Sequence, residues 1–184
     1  MTANVKRQTT TRDLVYISVF TVIIAICSWI SIPAVVPFTL QTLGVFATVG
    51  ILGGRRGTLA VLSYIALGAL GVPVFAGFTG GIGALFGNAG GYIIGFLFTA
   101  LVMWGIEKLF GRSRVVLALS MVAGLLVCYF FGTVWFMVLY THNTGAVGLW
   151  TVLGWCVIPF IIPDLLKIVL AMYLTERLRK AAAI

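Results

Sequence analysis

The sequence predicts an all-α integral membrane protein with six transmembrane helices, some of them short or irregular, and a Gly-rich outer loop before helix 4. Three observations carry this. Of 184 residues, 61% are hydrophobic and 9% are charged, more apolar side chain than one soluble core conceals. The apolar residues fall into runs, and crossing ~30 Å of hydrocarbon takes about 20 helical residues, so this length holds five to seven spans and no soluble catalytic domain. Finally, the charge of +8 is clustered. Lys6, Arg7 and Arg12 form one group, Arg55 and Arg56 a second, Lys108, Arg112 and Arg114 a third, and Arg177, Arg179 and Lys180 the last.

The connections at 31–37, 72–88 and 141–149 carry no Lys, Arg, Asp or Glu. Charged and uncharged loops therefore alternate, which is the positive-inside pattern of a multi-pass protein of the cell membrane. It sets both termini and the loops at 53–57 and 105–114 in the cytoplasm and requires an even number of crossings, which six satisfies. The basic charge is thus explained by a lipid bilayer, with no nucleic acid partner. The expected organisation is a cytoplasmic N-terminal segment at 1–13, one transmembrane domain at 14–177 and a cytoplasmic tail at 178–184.

Span 1 is expected from about Leu14 to Ile32, ended by Pro33 and Pro37. The polar segment before it and the lack of a small-x-small cleavage site make it a retained span, not a signal peptide. Span 2 runs from about Phe38 to Gly53, with polar Thr39, Gln41 and Thr42 near its outer end. Span 3, about Thr58 to Gly71, is also short, so both suit positions surrounded by other helices or a thinned bilayer.

The stretch from Gly71 to Gly95, GVPVFAGFTGGIGALFGNAGGYIIG, is too apolar for a solvated linker and too Gly-rich for a plain helix. It reads as a folded outer loop dipping toward a site, because irregular backbone at membrane depth needs protein or a cavity around it. Gly87, Gly91 and Gly95 recur every four residues, a small stripe that admits a close neighbour to span 4, which continues to about Trp104. Span 5 runs from about Val115 to Tyr140. Residues 145–158 suit a short helix before Pro159, and the last helix is expected from about Pro163. Cys27, Cys128 and Cys156 each lie in an apolar run without metal-like spacing, and read as free buried thiols.

Two ionisable residues lie inside an apolar run, Asp164 and Lys167 in PFIIPDLLKIVLAMYL. Pro163 suits a first helical position, and a carboxylate in the first turn is favoured by the helix dipole. Arg177, 13 residues further on, is roughly 20 Å away along a helix and marks the cytoplasmic interface, so Asp164 belongs to the outer half of the membrane. Spaced three apart, the two residues face one side. Each costs ~2.5–3.5 kcal/mol at a bilayer centre on insertion scales. They are either an ion pair that fixes helix packing or a ligand site; their outward position below the glycine loop favours a small anion with an apolar body, Lys167 taking the anion and Asp164 accepting N–H groups.

Other candidates are weaker singly. Gln41 and Thr39 need partners that a ligand or a backbone carbonyl would equally supply. Thr79 either stabilises a turn or faces a ligand. Asn88 is a candidate ligand contact that also suits a cap for span 4, Tyr92 either offers its ring to a ligand or packs on span 5, and Trp135 and Tyr140 are either interfacial or ligand-facing. His142 belongs to a solvated outer loop.

The residues VPFTLQTLGV at 36–45, GGRRG at 53–57, GALGVPVFAG with GGIG and GNAGGYIIGF, and PFIIPDLLK at 159–167 together resemble the BioY family, the biotin-specific substrate-capture subunits of energy-coupling-factor (ECF) transporters. The resemblance runs in order from about residue 12 to the C-terminus. It implies six helices, cytoplasmic ends, a biotin site near the outer face, and docking on a shared energising module made of a membrane coupling subunit and ATPase subunits. It also implies that Asp164 and Lys167 line the biotin site, with Thr39, Gln41, Thr79 and Tyr92 as contacts. Phe38, Phe75 and Trp135 would supply apolar area, with Asp164 meeting the ureido N–H groups and Lys167 the carboxylate. Two positions depart from the pattern. Ile93 stands where some relatives carry a basic residue, and the docking pattern Ala-x-x-x-Ala on the first helix has only Thr21 to Ala25 as its counterpart.

The sequence has no Gly-x-x-x-x-Gly-Lys-[Ser/Thr] loop, so energy for uptake has to come from partners. No cofactor is implied beyond biotin as ligand. An intramembrane enzyme is the rival from another class, but no His-Glu-x-x-His or Gly-x-Ser-x-Gly accompanies the Asp and Lys. A channel would show rings of charge or carbonyls and no saturation at one ligand per chain. The same scaffold with another vitamin is the nearer alternative, decided by pocket shape.

Overall fold

The protein is described here by a computed structural model covering residues 10–182; the rest of the expected N-terminal segment, with Lys6 and Arg7, and residues 183–184 of the tail lie outside the described residues. Helix α1 (Thr11–Trp29) starts earlier than the expected Leu14 because Thr10 and Asp13 form a reciprocal cap: Asp13 N–H donates to Thr10 Oγ1 at 3.3 Å and Thr10 N–H to Asp13 Oδ2 at 3.1 Å. A two-stranded antiparallel hairpin follows, β1 (Ser31–Ile32) and β2 (Phe38–Thr39), with Ser31 opposite Thr39 and Ile32 opposite Phe38. Phe38 and Thr39 are taken up by this pairing, so helix α2 spans only Gln41–Leu52.

Every residue of α2 except Thr42 is buried. It packs against α1, α3 (Gly54–Ala69), α5 (Gly90–Phe110) and α8 (Ile158–Ala182). Its Val45, Phe46 and Val49 join Ile24, Tyr64, Met103, Met121 and Ala171 in the main core. A helix surrounded in this way meets no lipid and need not match the bilayer.

Gly53, at φ 82°, is the hinge between α2 and α3. Arg55 and Arg56 therefore stand in the first turn of α3 and not in a loop, as expected for 53–57. The Gly54 N–H donates to Glu107 Oε2 at 2.8 Å, a carboxylate from α5 doing what a local cap does elsewhere. Arg56 pairs with Asp13 at 2.7 Å, joining the starts of α3 and α1.

The glycine-rich stretch folds into a 3-10 turn at Ala76–Phe78 and a short helix α4 (Ile82–Leu85) before α5 begins at Gly90. Phe75 and Thr79 bridge across that turn, Phe75 N–H to Thr79 O at 3.0 Å. Helix α6 (Arg114–Thr144) and α5 form the most extensive helix pair. The glycines explain their closeness, since a Cβ on Gly91 would lie 2.2 Å from Trp135 Cβ and one on Gly132 2.3 Å from the Tyr92 ring. Helix α7 (Leu149–Cys156) matches the expected short helix, but α8 begins at Ile158. Pro163 thus falls inside α8 and Asp164 outside its first turn. The expected stabilisation of Asp164 by the helix start is replaced by side-chain partners described below.

Among the described residues, four helical stretches are long and apolar enough to cross a membrane: Thr11–Trp29, Gly90–Phe110, Arg114–Thr144 and the α7–α8 stretch Leu149–Lys180. Their outer faces expose Val15, Val22, Leu126, Phe130, Leu166 and Val169, a surface suited to lipid. Thr21 and Ala25, expected to dock a partner, are buried instead. Thr21 Oγ1 donates to the Ile17 and Ala60 carbonyls at 2.8 and 3.1 Å, so this small-residue face of α1 is used inside the chain, against α3.

Candidate functional site

A cavity of about 370 Å³ lies between the β1–β2 hairpin, the 75–89 stretch and helices α2, α5, α6 and α8. Its volume falls in the range of roughly 300–1,000 Å³ typical of small-molecule sites. Phe75, Ile93, Phe96, Leu125 and Phe160 contribute apolar walls, and Asp164, Lys167, Thr39, Gln41, Thr79 and Asn88 polar ones.

The charged pair forms one end of a bonded chain. Asp164 is 3% and Lys167 6% exposed. Three residues apart on α8, they meet on one face: Lys167 Nζ donates to Asp164 Oδ1 at 2.7 Å. The same ammonium donates to the Thr39 carbonyl at 2.7 Å and lies 4.2 Å from the centre of the Phe38 ring. On the other side, the Tyr129 hydroxyl of α6 donates to Asp164 Oδ2 at 2.6 Å. A buried ion pair is tolerable when its remaining capacity is met by such partners.

Of the residues named from sequence, Asp164, Lys167, Thr39, Gln41, Thr79, Asn88 and Tyr92 line the cavity. Gln41 Nε2 donates to the Tyr64 hydroxyl at 2.9 Å, and Thr39 Oγ1 accepts the Gln41 N–H at 3.2 Å. Thr79 Oγ1 donates to the Ala76 carbonyl at 2.9 Å and so holds its own turn while facing the cavity. Asn88 does not cap α5, whose N-cap is Ala89 with no side-chain bond. Tyr92 lines the cavity and packs on Gly132 of α6, and its hydroxyl donates to the Cys156 carbonyl at 2.9 Å.

Phe38 and Trp135 stand behind the lining. Phe38 stacks on Phe160, ring centres 5.8 Å apart, and supports Lys167. Trp135 Nε1 donates to the Gly87 carbonyl at 3.1 Å, securing the backbone that leads into α5. Tyr129, Phe96, Leu125 and Phe160 line the cavity but were not singled out from sequence. For Tyr129 a signal existed, a phenol inside a long apolar helix that needs a hydrogen-bond partner; the partner itself, 35 residues away, was not readable.

The chain as a whole is similar to known proteins. The chain is 40% identical over 173 residues to a protein of Thermotoga maritima named biotin transporter BioY, covering 92% of this chain and 96% of that one. It is 40% identical over 144 residues to a probable biotin transporter BioY of Pyrococcus horikoshii, 78% of this chain and 81% of that one. Its fold is similar, with a TM-score of 0.81 and 29% identity over 92% of this chain and 91% of that one, to a crystal structure described as the S-component for biotin from an ECF-type ABC transporter. The profile of the BioY family matches residues 1–184 in full, and with these similarities and the multi-pass apolar helices, the chain belongs to the BioY family.

Proposed function

We propose that this chain is the biotin-binding S component of an ECF-type uptake transporter, capturing the vitamin and passing it inward with an ATP-driven partner module. The observation that carries the reading is the buried Asp164–Lys167 pair on the wall of a largely apolar cavity of about 370 Å³, in a chain of this family. Biotin matches it in chemistry, with a ureido head that donates and accepts, an apolar fused ring and a carboxylate at the far end of its valerate chain.

In this reading Asp164 and Lys167 both serve the ureido head. Their charged atoms are 2.7 Å apart, whereas the head and the carboxylate of biotin are separated by ring and chain, so Lys167 does not divide the ligand with Asp164 as first expected. Its ammonium has an N–H for the ureido oxygen beside the carboxylate that takes ureido N–H groups. The tail then falls to the polar lining elsewhere, Thr79 and Asn88.

The membrane reading that goes with this has six crossings, with α2 and α3 completing the four longer spans, and both ends in the cytoplasm. Clustered cations at 55–56, 108–114 and 177–180 support that orientation. The chain acts without chemical turnover of biotin, and a membrane coupling subunit with ATPase subunits supplies the energy.

The test is equilibrium binding of labelled biotin to the detergent-purified protein, with Asp164→Asn and Lys167→Ala beside it. One-to-one binding that both substitutions weaken at least tenfold is expected. A folded wild-type protein that ignores biotin sinks the reading and turns attention to other vitamins on the same scaffold.

A further inference from the structure

We propose that Tyr129 is a positioning residue that holds the Asp164 carboxylate for ligand N–H groups and thereby sets the preference for a ligand with both ureido N–H donors. The inference rests on the biotin reading and goes beyond it, to what makes the site selective.

A carboxylate turns easily about its last side-chain bond, where the torsional wells are broad. Lys167 sits on the same helix and engages only Oδ1, at 2.7 Å. The second oxygen is held from a different helix, by the Tyr129 hydroxyl of α6 at 2.6 Å. With both oxygens tied, the plane of the carboxylate is set. Asp164 and Tyr129 both line the cavity, so what a ligand meets there is the acceptor capacity that Lys167 and Tyr129 leave unused.

The phenol has a single hydrogen and gives it to Asp164. Its oxygen can then only accept. This end of the cavity therefore presents acceptors from Asp164 and Tyr129 beside the donor of Lys167, and a ligand head that lacks an N–H leaves a buried acceptor unpaired. Sites built this way reject the deficient analogue far more strongly than a shape difference of one methyl group would. Tyr129 also ties two helices that pack only sparsely against each other, α6 and α8, so the bond fixes the wall as well as the side chain.

The experiment compares two ligands, biotin and an analogue methylated on one ureido nitrogen, by equilibrium binding to the full-length wild type and to Tyr129→Phe. Phenylalanine keeps the ring and its packing and removes only the hydroxyl. The expected result is that Tyr129→Phe weakens biotin by about tenfold or more and the analogue by less, so that the preference for biotin shrinks. A structural role would lower both ligands alike, and an unchanged preference ratio overturns the proposal while leaving the biotin reading intact. Failure of the wild type to bind biotin removes that reading and this inference with it. As a second measurement, independent of the analogue and made on protein shown to be folded, Tyr129→Phe in an Asp164→Asn background should cost biotin binding little further; a full additional tenfold loss there also overturns the proposal.

Discussion

Lys167 Nζ donates to the Thr39 carbonyl and to Asp164 Oδ1, each at 2.7 Å, so one ammonium on α8 holds both the hairpin backbone and the buried carboxylate. Lys167→Met keeps much of the shape and leaves Asp164 charged and half-paired. The loss expected for breaking a buried pair is about 3–5 kcal/mol, and removing both charges is milder than removing one. The midpoint of thermal unfolding in detergent should thus fall for Lys167→Met and recover in part for Asp164→Asn/Lys167→Met, although neither variant binds biotin well. A double variant less stable than the single one contradicts the account.

Gly91 lies where any side chain would enter Trp135, 2.2 Å from a built Cβ to the Trp135 Cβ. Gly91→Val forces α5 and α6 apart, a cost of about 1–3 kcal/mol or more for overpacking. Gly105, whose built Cβ meets nothing within 4 Å, is the control, and Gly105→Ala should leave the unfolding midpoint near that of the wild type. Equal effects at the two sites speak against a tight α5–α6 seam.

Glu107 accepts the Gly54 N–H at 2.8 Å and the Arg112 Nε–H at 2.7 Å. Glu107→Ala leaves the start of α3 without its remote cap and should cost about 1–3 kcal/mol of stability. Since this cluster is separate from the cavity lining, biotin affinity measured well below the unfolding temperature should change less than twofold. A large loss of affinity at unchanged stability would show that the two ends of the protein are coupled.

Orientation is open to labelling. In a background with Cys27, Cys128 and Cys156 replaced by Ala, Ser113→Cys at the start of α6 and Asn143→Cys near its end should react with a membrane-impermeant maleimide from opposite sides. Asn143→Cys is expected to label in intact cells and Ser113→Cys only after the membrane is opened. The reverse pattern inverts the topology proposed from the charged loops.

The site was legible in the sequence where chemistry conflicts with surroundings. Asp164 and Lys167 are charges in an apolar run, and an apolar setting makes them conspicuous. Tyr129 in its apolar helix reads equally as packing, and only the meeting of α6 with α8 reveals its bond to Asp164. Local rules also misled at the start of α8, where Pro163 looked like a first helical residue; Ile158 begins the helix, and the proline is accommodated in its interior. Thr21 and Ala25 show the same limit, because a pair of small residues marks a close approach without saying whether the neighbour belongs to the same chain. Glycine spacing, by contrast, translated into the α5–α6 seam at two of its three positions: Gly91 faces Trp135 and Gly95 faces Cys128, whereas Gly87 precedes α5 and a Cβ there would meet only Ala84 and Gly83.

The enclosure of α2 has a bearing on how the protein is made. Twelve residues reach roughly 18 Å as a helix, well short of the ~30 Å hydrocarbon layer. Such a segment has little hold on a bilayer by itself and depends on neighbours for its place. One of its principal neighbours, α8, is synthesised well after it, with α3 to α7 in between. The centre of the molecule is therefore completed only once α8 has been made, and a ribosome stalled before α8 would leave α2 in the membrane with one flank open to lipid.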